Sequence, residues 1–237
     1  MPADNAFRRR SLRFFVWISG LLFAVCVSAE LEISQALLRQ IEIRFGQEAG
    51  TRITKWQTLL QSTKSLPEAE KLKHVNDFFN RQVEFVDDIY LWDQEDYWAT
   101  PLEFLVRGAG DCEDYSIAKY FTLKELGVPE SKMRITYVKA IELNQAHMVL
   151  TYFATPRSTP LVLDNLNPAI KPATQRRDLL PVYSFNGTGL WLAKSRGAGK
   201  RVGGSGRLSR WTSLKQRMLE NSFGSAFMDR APSLKNT

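Results

Sequence analysis

The strongest constraint on the fold is the order of two kinds of apolar spacing along the chain. Apolar residues at helical spacing dominate the first half, and alternating apolar residues dominate the second half. Residues 84–110 show neither spacing and are expected to be irregular. This order predicts an α+β fold in which helices pack on an antiparallel sheet. The predicted helices cover residues 31–45, 52–63, 67–83 and 112–126, and the predicted strands cover residues 134–140, 147–153, 161–164 and 182–185.

Residues 1–29 have the pattern of an export signal. Four arginines precede an apolar run over residues 14–27, and Ala29 ends a small-residue stretch typical of a cleavage site. The apolar run is shorter than the roughly 20 residues that a membrane-spanning helix needs. An uncleaved membrane anchor is therefore the less favoured alternative. Export leaves Cys112 as the only cysteine of the mature chain, which then has no internal disulfide.

Positive charge is concentrated at the two ends of the chain. The net charge of +7 arises there, whereas the region between the ends is slightly acidic, so we expect no nucleic-acid binding. The folded domain is predicted to span residues 30–192. Residues 193–237, which are basic and rich in glycine, are predicted to form a flexible tail with weak attraction to an anionic membrane surface. An amphipathic helix over residues 211–222 that docks on the core is the alternative.

Cys112 stands at the start of the helix that follows the irregular segment. Backbone N–H groups at a helix N-terminus favour the thiolate, which is the nucleophilic form of cysteine. Asp111, Glu113 and Asp114 lie in the same turn and disfavour that thiolate. A histidine partner or a bound cation would offset these carboxylates. The alternative is a buried, inert cysteine beside acids that only cap the helix.

Two histidines are candidates for that partner. His147 begins a predicted strand, and Asp164 ends the next strand after an apolar run, where a carboxylate needs a partner such as an imidazole N–H. His74 lies beside lysines on a charged helix and is interpreted as a surface residue. The ordered set of Cys112, His147 and Asp164 is typical of a cysteine nucleophile with a general base and an acid that orients it.

Several segments of the chain together resemble one protein family. Residues 108–120, with Gly-Asp-Cys-Glu-Asp-Tyr at their centre, are similar to the bacterial transglutaminase-like cysteine proteinases, in particular the periplasmic members that release large adhesins. The later segments that share this resemblance are residues 147–150, 163–165, 181–186 and 189–191. The resemblance extends over about residues 35–192 and leaves out the export signal and the basic tail.

The resemblance implies a papain-like core of the transglutaminase type and a thiol protease mechanism. It makes Cys112 the nucleophile, His147 the general base and then acid, and Asp164 the residue that orients His147. An oxyanion donor is also required. The Cys112 backbone N–H is one candidate, and Trp98 is a second by analogy with the indole donor of transglutaminases. Core packing is the alternative for the Trp98 side chain.

The resemblance also implies a Ca²⁺ ion beside the active site, which would neutralise the excess of carboxylates. Asp111 and Glu113 match the metal-binding positions of the family best, and Asp114 and Asn165 are further candidate ligands. Calcium binds six to eight oxygen atoms, and carboxylates are its usual ligands. Helix capping by the same acids remains the alternative.

The family further implies a periplasmic endopeptidase that cuts the N-terminal region of a large cell-surface adhesin and so promotes biofilm detachment. It implies an inner-membrane receptor that senses a cyclic dinucleotide and sequesters the protease. The aromatic residues within 90–98 are a candidate docking surface for this receptor, and a substrate cleft or core packing are the alternatives for the same side chains. Two other classes stay open. One is a transglutaminase or amidase with the same triad, and the other is a non-catalytic partner-binding module.

Overall fold

The computed structural model describes residues 33–193 and 198–221, and the predicted export signal lies outside them. No helix within these two ranges has the length and hydropathy that crossing a membrane requires. The three predicted N-terminal helices and the helix that begins at Cys112 are all present. The helices are α1 (Gln35–Phe45), α2 (Gln47–Thr63), α3 (Glu68–Gln82), α4 (Asp88–Trp92), α5 (Pro101–Arg107), α6 (Cys112–Glu125) and α7 (Ser209–Asn221).

The strands form a short parallel pair and a larger antiparallel sheet. The parallel pair joins β1 to β2, and the sheet has the strand order β6-β5-β4-β3-β7-β8-β9. This arrangement confirms the predicted α+β fold with an antiparallel sheet. The strands are β1 (Glu84–Phe85), β2 (Ala109–Gly110), β3 (Met133–Ala140), β4 (Gln145–Tyr152), β5 (Leu161–Leu163), β6 (Lys171–Pro172), β7 (Leu179–Phe185), β8 (Leu190–Leu192) and β9 (Lys200–Gly203).

The central hairpin of the sheet consists of β3 and β4. Asn144 adopts the left-handed conformation, with a φ of 52°, in the turn between them, which suits the short polar side chain of asparagine. Alternate side chains of β4 then point to opposite faces of the sheet. Leu150 joins the core beneath the helices, whereas Val149 joins a second apolar cluster on the other face. His147 pairs with Val138 near the turn end of the hairpin.

Helix α6 is buried along most of its length because the sheet and other helices surround it. It packs on β3 and β4 and also contacts α3 and α5. Ile117, Tyr120 and Leu123 are fully buried in this position. The helix ends before Gly127, whose φ of +82° suits the absence of a side chain. The centre of the core thus fixes the axis of the helix that carries Cys112.

Residues 84–110 are more ordered than the sequence analysis predicts. They form β1, α4, α5 and β2, so the expectation of an irregular segment is wrong. Thr100 and Glu103 make a reciprocal capping box at the start of α5, and Pro101 takes the first helical position. These helices were missed because each is too short for a repeating apolar spacing.

The region after residue 192 is also more ordered than predicted. Residues 200–203 form β9 at the edge of the sheet, and α7 places Trp211 and Leu214 in the core with no exposed surface. The expectation of a flexible tail from residue 193 onward is therefore wrong for residues 200–221. The alternative, an amphipathic helix that docks on the core, describes what the structure shows.

Candidate active site

A short parallel ladder positions the start of α6. Residues of β1 pair with Ala109 and Gly110 of β2, and the chain then turns through Asp111 into the helix. Gly110 is required here, because a Cβ atom at this position would lie 2.4 Å from Oδ2 of Asp114. Cys112 follows as the first residue of α6, as the sequence predicts.

The structure brings Cys112 and His147 to the same cavity. Both residues line a cavity of about 360 Å³, together with Tyr137 and Leu166. The helix that begins at Cys112 packs on β4, the strand that carries His147. The thiol at the helix start therefore lies beside the strand that carries the histidine.

His147 and Asp164 form a buried pair. Nε2 of His147 lies 2.7 Å from Oδ1 of Asp164, and both side chains are almost completely inaccessible to solvent. Burial alone would raise the pKa of Asp164, but hydrogen bonds from His147 and Arg176 outweigh this effect and lower the pKa below its ordinary value. Asp164 therefore stays ionised and holds the imidazole by one nitrogen, which leaves Nδ1 for the opposite side of the ring.

Two buried cations and one side-chain amide donate hydrogen bonds to Asp164 and hold it in place. Nη2 of Arg176 donates to Oδ2 of Asp164 at 2.6 Å and to Asp178 at 2.7 Å. The backbone carbonyl of Asp164 accepts hydrogen bonds from Asn80 at 2.8 Å and from Lys119 at 3.1 Å. The sequence analysis missed these supporting residues because they lie on α3, on α6 and in the loop before β7 and share no motif.

Carboxylates dominate the other side of Cys112. The thiol donates a hydrogen bond to Oε2 of Glu113 at 3.0 Å. Burial, followed by the charges of Glu113 and Asp111, raises the pKa of Cys112 well above its ordinary value. The neighbouring acids thus outweigh the effect of the helix N-terminus on the pKa of Cys112, and the thiolate needs a compensating positive charge.

Four carboxylates beside Cys112 form what we call the acidic cluster: Asp88, Asp111, Glu113 and Asp114. Oxygen atoms of Asp88, Asp111 and Asp114 lie within 4.8 Å of one another. Each of these three residues has a buried oxygen atom without a hydrogen-bond partner in the part of the chain that the structure describes. Buried carboxylate oxygens without partners are costly unless a cation binds them, so the cluster has the chemistry of a divalent-cation site.

The pKa values of the acidic cluster record the same excess of negative charge. Burial, together with neighbouring carboxylates such as Glu113, raises the pKa of Asp88 to about 7. Burial and the charges of Glu113, Asp114 and Asp88 raise the pKa of Asp111 to about 11, and the pKa of Asp114 is raised well above its ordinary value for the same reasons. Helix capping by these acids does not account for this, because the Asp111 side chain makes no capping hydrogen bond within α6.

The structure also describes three further candidates from the sequence. Trp98 stacks on Phe185 in the core, and its buried indole Nε1 does not reach the cavity, so the structure gives no support for an oxyanion role. Asn165 follows Asp164 in the loop after β5, and its side-chain Oδ1 is buried without a hydrogen-bond partner among the described residues, so its role as a calcium ligand stays a prediction. His74 lies partly exposed on α3, 4.0 Å from Glu70, as its surface interpretation predicts.

Asp88 is the cluster member that the sequence analysis missed. It begins α4, inside the segment that was expected to be irregular, and it is buried. The pair Asp87-Asp88 was visible as part of an acid-rich stretch. Sequence distance concealed its role, because only the pairing of β1 with β2 brings this stretch beside Asp111.

Comparison with known proteins agrees with this fold and site. A sequence profile of one family, described as bacterial transglutaminase-like cysteine proteinase BTLCP, matches residues 46–186. The chain belongs to this family, and it is therefore a cysteine peptidase with a transglutaminase-like fold. No curated protein matches the chain significantly.

Among solved structures, the chain is similar to LapG from Legionella pneumophila. The EGTA-treated form of LapG is 45% identical, with a TM-score of 0.69, and the match covers 78% of this chain and 98% of LapG. The calcium-bound form is 44% identical, with a TM-score of 0.67, and the match covers 78% of this chain and 99% of LapG. The protein is a LapG-like protease.

Proposed function

We propose that this protein is a periplasmic, calcium-dependent endopeptidase that cleaves the N-terminal region of a large cell-surface adhesin and so releases it from the cell. The observation that carries this proposal is the placement of Cys112 and His147 on one cavity, with His147 fixed by Asp164 at 2.7 Å. This is the arrangement that thiol-dependent acyl transfer needs, in a chain that belongs to a family of cysteine proteinases.

The reaction begins when the Cys112 thiol transfers its proton to Nδ1 of His147. The thiolate sulfur attacks the peptide carbonyl carbon, and the resulting oxyanion collapses to an acyl-enzyme as the C–N bond breaks. His147 returns the proton to the departing amine and then removes one from the attacking water, which releases the carboxylic acid and restores the thiol. Asp164 stabilises the imidazolium through Nε2, and the Cys112 backbone N–H at the helix start is the candidate oxyanion donor.

The acidic cluster is the proposed calcium site, with Asp88, Asp111, Glu113 and Asp114 as its ligands. Its unpartnered buried oxygen atoms support this assignment, as does the similarity to LapG, of which one structure is calcium-bound. When bound, the cation supplies the positive charge that lowers the cost of forming the neighbouring thiolate.

Localisation and partners follow from the same proposal. The export pattern over residues 1–29 supports a periplasmic location. An inner-membrane receptor that senses a cyclic dinucleotide is the proposed regulator. Of the aromatic residues within 90–98, Tyr90 is the one that remains widely exposed, at 83%, and Ile89 beside it is half exposed. The docking surface is therefore smaller than the aromatic content of this segment indicates.

The decisive experiment incubates purified residues 30–237 with an N-terminal fragment of an adhesin encoded by the same organism. We expect a single cleavage event in calcium, loss of cleavage in excess EGTA, and no cleavage by Cys112→Ala under either condition. Mass spectrometry of the products in the presence of a primary amine separates hydrolysis from acyl transfer, because a transglutaminase would leave the amine attached to the new carboxyl end. Cleavage by Cys112→Ala would overturn the mechanism.

A further inference from the structure

Segment 97–99 orients two carboxylates of the acidic cluster by backbone hydrogen bonds. The N–H of Tyr97 donates to Oδ2 of Asp88 at 2.5 Å, and the N–H of Ala99 donates to Oδ1 of Asp114 at 2.7 Å. The other oxygen of each carboxylate is buried and lacks a partner among the described residues. Each carboxylate therefore uses one oxygen to hold its orientation and presents the other to the interior of the cluster.

The segment itself has no regular secondary structure to fix its position. Residues 96–100 lie between α4 and α5 and belong to neither a helix nor a strand. Backbone groups of such a segment must find side-chain partners if the segment is to stay ordered away from water. The geometry of the acidic cluster thus depends on whatever holds residues 97–99.

Arg217 of α7 makes the contacts that hold this segment. Its Nη2 donates to the backbone carbonyl of Trp98, between the two N–H donors, and its guanidinium carbon lies 4.6 Å from the centre of the Tyr97 ring. Its Nε lies 3.8 Å from Oε1 of Glu103, which also accepts a hydrogen bond from the Tyr97 hydroxyl. One planar cation therefore stacks on the segment and donates to it at once, which a lysine ammonium cannot reproduce.

The core fixes Arg217 in turn. Trp211, two turns earlier in α7, is fully buried and stacks on Phe121 of α6 at a ring separation of 5.5 Å. The helix also carries Arg210, which lies 2.9 Å from Asp96, but both of these side chains are largely exposed, so this ion pair contributes little. Arg217 is partly buried, so its contacts, rather than the Arg210–Asp96 ion pair, hold segment 97–99 in place.

We propose that Arg217 is a positioning residue for cation binding, because it holds segment 97–99 in the conformation that orients the acidic cluster. This inference rests on the calcium site of the proposed function. In the described contacts Arg217 touches none of the cluster carboxylates, so its effect passes through the segment alone. It should change the affinity for the cation and leave the chemistry of the saturated enzyme nearly unchanged.

The test compares Arg217→Met with Lys215→Met in residues 30–237. Lys215 lies on the same helix, carries the same charge and contacts the Trp211 ring at 5.9 Å rather than segment 97–99. Ca²⁺ alone is titrated into each protein by isothermal titration calorimetry, and the calcium concentration for half-maximal cleavage is measured in parallel.

We expect Arg217→Met to weaken calcium binding about tenfold, which is about 1.4 kcal/mol, and to raise the half-maximal calcium concentration by a similar factor. The cleavage rate at saturating calcium should stay within about twofold, and Lys215→Met should match the unchanged protein in both measurements.

Each outcome is decisive. If the unchanged protein binds calcium and Arg217→Met binds it equally well, the positioning role is wrong while the proposed function stands. If the unchanged protein cleaves the adhesin fragment without binding calcium, this inference and the calcium part of the proposed function both fail. If Arg217→Met does not fold, Arg217→Lys decides, because it keeps the charge but loses the planar stacking, and we expect it to weaken calcium binding about threefold.

Discussion

The two sides of the α6 N-terminus differ in how their charges are compensated. On one side, both oxygen atoms of Asp164 are paired with cationic or imidazole groups, and the pKa of this residue is lowered. On the other side, Asp88, Asp111 and Asp114 each have a buried oxygen that lacks a partner in the described part of the chain, and their pKa values are raised. Cys112 lies between these two environments.

This difference suggests that one part of the site is complete within the chain and that the other part binds an added ion. Both carboxylate oxygens of Asp164 are paired within the chain, so we expect this side to hold its geometry without an added ion. The acidic cluster has more like charge than the chain neutralises, so we expect its stable form to require a cation from solution. We therefore expect the His147–Asp164 pair to persist when the acidic cluster is changed, and calcium binding to persist when His147 is changed.

The largest expected effect comes from removing the base. His147→Ala should reduce the cleavage rate about a thousandfold, since general acid–base catalysis contributes about 10²–10⁴. Calcium binding should be unchanged, because His147 lies on the side that the chain itself completes. Cleavage assays and calcium titration measure the two properties separately, with the surface variant His74→Ala as the control expected to match the unchanged protein. A large loss of calcium affinity in His147→Ala would show that the two sides are one coupled network.

The next effect concerns the anchor of α7. Trp211→Ala removes a fully buried indole that contacts Tyr120 and Phe185, and it should lower the free energy of unfolding by about 3 kcal/mol. Because α7 supports the acidic cluster through Arg217, calcium affinity should fall as well, whereas the His147–Asp164 pair should persist. Urea unfolding with and without calcium measures the change. A loss below about 0.5 kcal/mol would restore the flexible-tail interpretation of residues 209–221.

A smaller effect on stability should differ in sign between the calcium-free and the calcium-bound protein. Asp114→Asn keeps the oxygen that accepts from Ala99 and replaces an ionisable carboxyl with a neutral amide. In EGTA we expect the variant to be about 1 kcal/mol more stable than the unchanged protein, because the amide avoids the burial and like-charge repulsion that oppose ionisation of this carboxyl. In calcium it should be less stable, because a ligand is lost. Asp77→Asn, at a surface ion pair with Lys73, is the control and should shift stability equally in both buffers. A lower stability of Asp114→Asn in both buffers would contradict the proposed repulsion.

The smallest expected effect is a pH dependence on the Asp164 side. Burial lowers the pKa of Lys119 to about 7, which is below its unfolded value of about 10.5. Between these two values the unfolded chain binds the extra proton, so the contribution of Lys119 to stability rises with pH from about 7 upward. We expect the difference in unfolding free energy between the unchanged protein and Lys119→Met to grow by about 1 kcal/mol from pH 7 to 8. Urea unfolding at both pH values measures it, and a constant difference would place the pKa of Lys119 outside this range.

The sequence was informative wherever a residue's role depends on its immediate neighbours. The spacing of apolar residues predicted α1, α2, α3 and α6, and the Gly-Asp-Cys-Glu-Asp-Tyr run identified the helix start at Cys112. The Thr-Pro-Leu-Glu run at residues 100–103 contained a capping box that was overlooked, so α5 was predictable in principle. Short elements such as β1 and α4 were not predictable from spacing, because they span too few residues to show one.

The sequence by itself determined the α+β fold and the candidate triad, since each depends on local spacing or on a specific motif. Only the tertiary structure decided that Arg176 and Lys119 support Asp164, that Asp88 joins the acidic cluster, and that α7 belongs to the core. These contacts join residues distant in sequence, and their energies come from burial and charge pairing that exist only after the chain has packed. The sequence therefore predicted the triad and the acids next to Cys112, whereas the residues that support Asp164 and complete the acidic cluster became apparent only in the packed chain.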